Sequence, residues 1–220
     1  MPAPTAALTI EGLVAEAARF SAAESAHDEP SLFGVTDGKA VGTYLEHKFV
    51  AYLMDRYSFA GGNSASGIDI PVLNVDIKVT SVKQPQSSCP FKSARQKIFG
   101  LGYHLIVFVY EKSDDSAAKT ARLTIQHNVF IDKRRTADYQ MTRGLREIIQ
   151  RDGNAEDLVA FMHDRNLPVD DIEASAIAEL LLREMPEEGY LTISNALQWR
   201  LQYGRVIQHA GIVDGITRIV

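Results

Sequence analysis

Apolar residues recur at helical spacing through residues 8–23, where Ile10, Leu13, Val14, Ala17, Ala18 and Phe20 are separated by Glu and Arg. The same spacing returns in residues 39–57, through Val41, Leu45, Phe49, Leu53, Met54 and Tyr57. Both stretches predict amphipathic helices, joined by turn-forming residues 27–38. Ala60-Gly61-Gly62-Asn63-Ser64 ends the second helix and admits a tight loop, after which the period changes. Residues 67–81 read GIDIPVLNVDIKVTS, rich in β-branched side chains and alternating over Val75, Ile77 and Val79. Pro71 and Asn74 mark a bend between two predicted strands. A polar loop at 82–90 leads to a predicted helix at 91–101. Residues 103–111 form a nearly continuous apolar run, as in a strand buried on both faces. Leu123, Ile125, His127, Val129 and Ile131 alternate as a neighbouring strand. Beyond residue 136 the pattern predicts helices at 138–151, 155–165, 171–185 and 194–209, punctuated by Pro168, Pro186 and Gly189.

This order predicts an α/β fold, a mixed central sheet flanked by helices over residues 1–136, with a helical C-terminal extension over 137–220 behind a soft boundary. No internal repeat or low-complexity tract divides the chain further. The 220 residues, 45% hydrophobic and 23% charged, suit one sizeable core plus an appendage. A single cysteine, Cys89, excludes an intramolecular disulfide framework and a thiolate metal cluster. The longest apolar run, 105–110, is too short to cross a bilayer and the start lacks an export signal, so a cytoplasmic protein with no membrane partner is expected.

The net charge of −5 conceals an uneven distribution. Residues 1–76 carry 4 Lys/Arg against 10 Asp/Glu, residues 77–151 carry 14 against 6, and residues 152–220 carry 5 against 12. No carboxylate occurs between Ile77 and Tyr110, where Lys78, Lys83, Lys92, Arg95 and Lys97 fall. A polyanion is the partner that such a segment suits.

The chemistry concentrates where this basic stretch begins. Asp76 and Lys78 are two apart on a predicted strand and share a face, while Val75, Ile77 and Val79 point the other way into the core. Asp69 precedes them on the other predicted strand, across a turn that can bring its carboxylate beside Asp76 so that both bind one Mg²⁺. A divalent metal held by two carboxylates suits phosphodiester hydrolysis, which needs an activated water and positive charge at the transition state. The string (D/E)xK occurs three times, at 37–39, 46–48 and 76–78, and only the third lies on a predicted strand with an acid before it.

Gly67-Ile68-Asp69 followed by Val75-Asp76-Ile77-Lys78 resembles the PD-(D/E)xK nuclease superfamily, which includes most type II restriction endonucleases; here Ile68 stands where the pattern has Pro. The resemblance implies a restriction-endonuclease-like core in which Asp69, Asp76 and the Ile77 backbone carbonyl bind Mg²⁺. It further implies that Lys78 orients or deprotonates the attacking water and that a carboxylate from the upstream helix assists. Glu46 fits that role, since it shares a helix face with Gly42, Phe49, Val50 and Leu53. Lys92, Arg95 and Lys97 are the expected phosphate contacts, Gln96 a candidate for the site or for DNA, and Lys83 and Gln84 candidates in the polar loop. The function expected is that of a type II restriction endonuclease, a homodimer making site-specific double-strand cuts in DNA. A repair nuclease of the same superfamily and a non-catalytic DNA-binding protein are the alternatives.

Overall fold

The computed structural model describes residues 6–59, 67–89, 92–194 and 199–220. In chain order its elements are α1 (Ile10–Ser25), β1 (Asp28–Glu29), α2 (Gly38–Met54), β2 (Val75–Ser81), β3 (Gln86–Cys89), α3 (Gln96–Phe99) and β4 (His104–Asp115). β5 (Thr120–Ile131), α4 (Tyr139–Gln150), α5 (Ala155–Asp164), α6 (Asp171–Arg183), β6 (Thr192–Ile193), β7 (Trp199–Gln202), α7 (Gly204–His209) and β8 (Ile216–Arg218) follow. The chain forms two compact units and passes between them repeatedly. One is Met1–Gln86, His104–Ile131 and His209–Val220; the other is Ser87–Tyr103 and Asp132–Gln208. Among the described residues no helix is long and apolar enough to cross a membrane.

The first unit is built on a five-stranded mixed sheet in the order β1-β5-β4-β2, with β8 also on β5. β2 runs parallel to β4, placing Asp76 opposite Leu105 and Lys78 opposite Val107. β4 and β5 are antiparallel, with a bulge between Val109 and Tyr110. Leu105, Ile106, Val107, Phe108, Val109 and Tyr110 are all buried, as a run without polar alternation requires of an interior strand. α1 packs along β5 and α2 along β2. Leu13, Ala17 and Phe20 of α1, with Val41, Leu45, Phe49 and Leu53 of α2, meet Ile77, Ile106, Phe108 and Leu123 in one cluster. The Phe49 ring lies 5.0 Å edge-on from Phe108 and 4.9 Å from Phe20, so truncating it to Ala would cost about 3–5 kcal/mol. Thr9 and Asp37 cap the two helices, accepting the N–H groups of Gly12 and Lys39.

In the second unit Met141 and Leu145 of α4, Leu158 and Met162 of α5, and Ala174, Ile177, Ala178 and Leu181 of α6 form a separate core with Ile98. Its small sheet runs β3-β7-β6. Asp138 organises the entry to α4: it is buried, and its carboxylate accepts the N–H groups of Met141 at 2.8 Å and Ile193 at 2.7 Å.

Two predicted helices differ. The expected helix at 91–101 is helical only over Gln96–Phe99; residues 90 and 91 lie outside the described residues. It stops at Gly100, whose φ of 84° brings the backbone so close to its surroundings that a Cβ would meet the Lys133 carbonyl and Thr136 Oγ1 at 2.9 Å. In place of a helix at 194–209 the chain forms β7 and then the short α7; residues 195–198 lie outside the described residues. Trp199, Leu201 and Tyr203 are buried and Arg200 and Gln202 exposed, an alternation of period two that outweighs the helical spacing of the same apolar residues.

Candidate active site

Glu46, Asp69, Asp76 and Lys78 all belong to the first unit, and the fold brings them together. β2 supplies two of them. Asp76 and Lys78 point the same way, and the Lys78 ammonium donates to Asp76 Oδ2 at 2.7 Å. Their face is more enclosed than alternation alone predicts, with Asp76 only 4% exposed and the Lys78 side chain 21% exposed.

Asp69 arrives by a different route from the predicted second strand. Ile70 and Val75 form a single antiparallel bridge, exchanging N–H···O bonds of 3.0 and 3.2 Å. Between them Pro71–Leu73 make one 3-10 turn, closed by Asn74 in the left-handed region at φ 54°. This tight loop turns the chain back so that Asp69 Oδ2 accepts the backbone N–H of Ile77 at 2.7 Å. A turn thus positions the first carboxylate, and the peptide that holds it lies between Asp76 and Lys78.

Glu46 comes from α2. That helix approaches β2 at Gly42, where a Cβ would sit 3.9 Å from the Val79 Cβ. One turn later Glu46 is half-buried and hydrogen-bonded to Asp69, within the field of Lys78.

Burial is the largest influence on Asp76 and pushes its carboxyl up to about 7; Lys78 offsets part of that rise, and the hydrogen-bonded Asp69 adds to it. Glu46 is also raised, by desolvation first and then by the charge of Asp69, against the opposing pull of Lys78. Glu46, Asp69 and Asp76 together carry more formal negative charge than the one Lys78 ammonium compensates. Hard, anionic oxygen donors with uncompensated charge fit a divalent cation such as Mg²⁺. Among the described residues no group of three or more His, Cys, Asp or Glu side chains is arranged to hold a metal ion.

The other two copies of the string have structural uses. Asp37 caps α2, and Lys48 turns to Glu24 at 2.8 Å. The basic and polar candidates separate by environment. Lys83 and Gln84 are exposed in the turn after β2. Lys92, Arg95, Gln96 and Lys97 belong to the second unit. There Lys92 is exposed and Arg95 faces Glu173 at 3.4 Å. The Gln96 side chain is engaged at both ends, accepting the Lys92 N–H and donating to the Leu101 carbonyl, each at 3.3 Å. Lys97 is buried, where a phosphate contact would need it at the surface; desolvation lowers its pKa and Asp138 opposes that shift.

Sequence reasoning passed over Thr80. It sits two residues beyond Lys78, and so continues the Asp76 and Lys78 parity with a polar side chain. That parity was the available signal.

A mixed sheet flanked by helices, with Asp76 and Lys78 on its parallel strand β2 and Asp69 held against that strand by a tight loop, is consistent with a restriction-endonuclease-like core. The profile of the family described as type II restriction enzyme NspV matches residues 7–218. The type II restriction enzyme NspV of Nostoc sp. (strain ATCC 29411 / PCC 7524) is 66% identical over 212 residues, covering 96% of each chain. The chain belongs to the NspV family of type II restriction enzymes. It is a site-specific deoxyribonuclease, and DNA is its partner. Enzymes of this class generally require a divalent metal. No solved structure matches the chain.

Proposed function

We propose that phosphodiester hydrolysis takes place at Asp69, Asp76, Lys78 and Glu46, with Mg²⁺ as the metal. The observation that carries this reading is the convergence of three carboxyl groups on one lysine, with Asp76 bound to Lys78 at 2.7 Å and Asp69 to the Ile77 N–H at 2.7 Å. Asp69, Asp76 and the Ile77 carbonyl would hold the ion, and Glu46 would assist from α2. When bound, the cation supplies positive charge where the transition state becomes more negative. Lys78 has three N–H donors; its contact with Asp76 takes one, leaving others to orient the attacking water or a phosphate oxygen. Asp76, itself buried, in turn holds the ammonium in place.

The protein acts in this reading as a cytoplasmic homodimer on double-stranded DNA, because two active sites related by a twofold match the symmetry of a palindromic site. All four catalytic candidates fall within residues 1–136, which we assign as the nuclease core together with β8, a strand of the same sheet; the rest of residues 137–220 is assigned to dimerisation or DNA recognition. Lys83, Gln84, Lys92 and Arg95 are assigned to DNA contacts.

Digestion of plasmid or phage DNA with Mg²⁺ tests this. Discrete fragments from the wild type, and their loss in Asp76→Ala with DNA binding retained, are expected. Undiminished cleavage by Asp76→Ala would overturn the site, and random nicking or branch-selective cuts by the wild type would point to a repair enzyme.

A further inference from the structure

The turn that follows the catalytic strand is tied to that strand by one side chain. Thr80 is buried, 6% exposed, in a stretch of β2 whose alternate residues are Asp76 and Lys78. Its hydroxyl lies 3.0 Å from the Gln84 carbonyl and 3.1 Å from the Gln86 carbonyl, and accepts the Gln86 N–H at 3.1 Å. A hydroxyl has one proton to donate, so it serves the two carbonyls in a shared bond while its lone pair takes the amide. The turn is also closed by local bonds, Gln86 N–H to the Gln84 carbonyl at 2.8 Å, Gln84 N–H to the Ser81 carbonyl at 3.2 Å and Lys83 N–H to Ser81 Oγ at 3.3 Å. Its start is fixed to the sheet by the Val82 N–H, which donates to the Tyr110 carbonyl at 2.9 Å. Thr80 Oγ1 thus ties the far side of the turn, Gln84 and Gln86, to the buried face of β2. The two side chains presented at the tip, Lys83 and Gln84, are exposed.

We infer that Thr80 is a positioning residue that fixes the Lys83-Gln84 turn in register with Asp76 and Lys78, so that DNA held by the turn is presented correctly to the cutting site. This rests on the reading of Lys83 as a DNA contact given above. In this role Thr80 acts through the turn it holds, by its bonds to Gln84 and Gln86. It acts because a contact residue held on a rigid element places its ligand more accurately than one on a free loop. A strand position also favours the β-branched hydroxyl: Thr keeps β-propensity and shape while supplying the bond that Val would lack.

The test uses the full-length enzyme and a duplex spanning one mapped cleavage site. Thr80→Val is expected to raise KM roughly tenfold with kcat within about twofold, and Thr80→Ser to restore KM to within about threefold, since one lost hydrogen bond corresponds to about a factor of ten. Thr80→Cys, which keeps a small side chain with a weak donor, replaces Thr80→Val if that variant fails to give the wild-type circular dichroism spectrum. Lys83→Ala is run in parallel and is expected to raise KM as well. A raised KM in Lys83→Ala with unchanged KM in the folded Thr80 variant overturns the inference about Thr80. An unchanged KM in Lys83→Ala overturns the reading of the turn itself. A kcat that falls as far as KM rises, without rescue by Thr80→Ser, also overturns the positioning role.

Discussion

Asp69 accepts the backbone N–H of Ile77 at 2.7 Å, so the first acid of the site is held by the peptide between the second acid and the lysine. The bond ties the loop containing Asn74 to the strand that carries Asp76 and Lys78.

That bond separates charge from position. Asp69→Asn keeps an oxygen able to accept the Ile77 N–H, while Asp69→Ala removes it. Both are expected to lower cleavage by about 10²- to 10³-fold, the usual scale for losing one electrostatic group in an active site. Only Asp69→Ala should lose stability, by about 1–3 kcal/mol for a partly buried N–H left without its acceptor. Paired urea denaturation and cleavage assays would separate the two effects, and equal destabilisation by both variants would contradict this account.

Asp76 shows the opposite balance. It is buried with the Lys78 ammonium and the Asp69 carboxyl as its charged neighbours. Asp76→Asn at pH 8 is expected to raise the thermal midpoint of the metal-free protein while reducing cleavage at least 10²-fold, because burying a charged carboxyl costs stability that a neutral amide does not. A scanning calorimetry midpoint below that of the wild type would argue against this cost of burial.

Asp138 holds the second unit at one point. Its carboxylate serves the buried N–H groups of Met141 and Ile193. Asp138→Ala leaves both without an acceptor, and a loss of about 2–4 kcal/mol is expected in equilibrium unfolding.

Acid stability depends on Glu29. Hydrogen bonds from Ser31 lead the causes that hold its carboxyl down to about 2, and Tyr44 donates to it at 2.9 Å. A depressed folded-state pKa stabilises the fold above the ordinary carboxylate range, and this contribution is lost as pH falls through about 2. Glu29→Gln should therefore flatten the fall in stability between about pH 4.5 and 2, read as urea midpoints across that range. An unchanged acid limb would remove Glu29 from the explanation.

Much of the fold is written locally. The helical spacing of Leu13, Ala17 and Phe20, and of Val41, Leu45 and Phe49, determines α1 and α2 because one face of each helix must be buried. The unbroken run around Leu105 and Val107 determines an interior strand, and the parity of Asp76 and Lys78 determines that they share a face and meet. Tertiary structure decided the rest. Asp69 reaches Ile77 through a single bridge and a left-handed Asn74, a path that depends on the Ile70–Val75 pairing and on the His104 N–H, which donates to the Asn74 carbonyl. Lys97 looks in sequence like its exposed basic neighbours, yet packing buries it near Asp138, a residue 41 positions away. Gln96 looks free, but a short helix turns both ends of its amide onto local backbone groups. Trp199 and Leu201 fit either period until a neighbouring strand is present to pair with them. Hydrophobic periodicity specifies what one element must hide. Which polar groups then meet is decided by closure of the chain, because carboxylates, amides and ammonium groups gain specific partners only when distant segments bring them within about 3 Å.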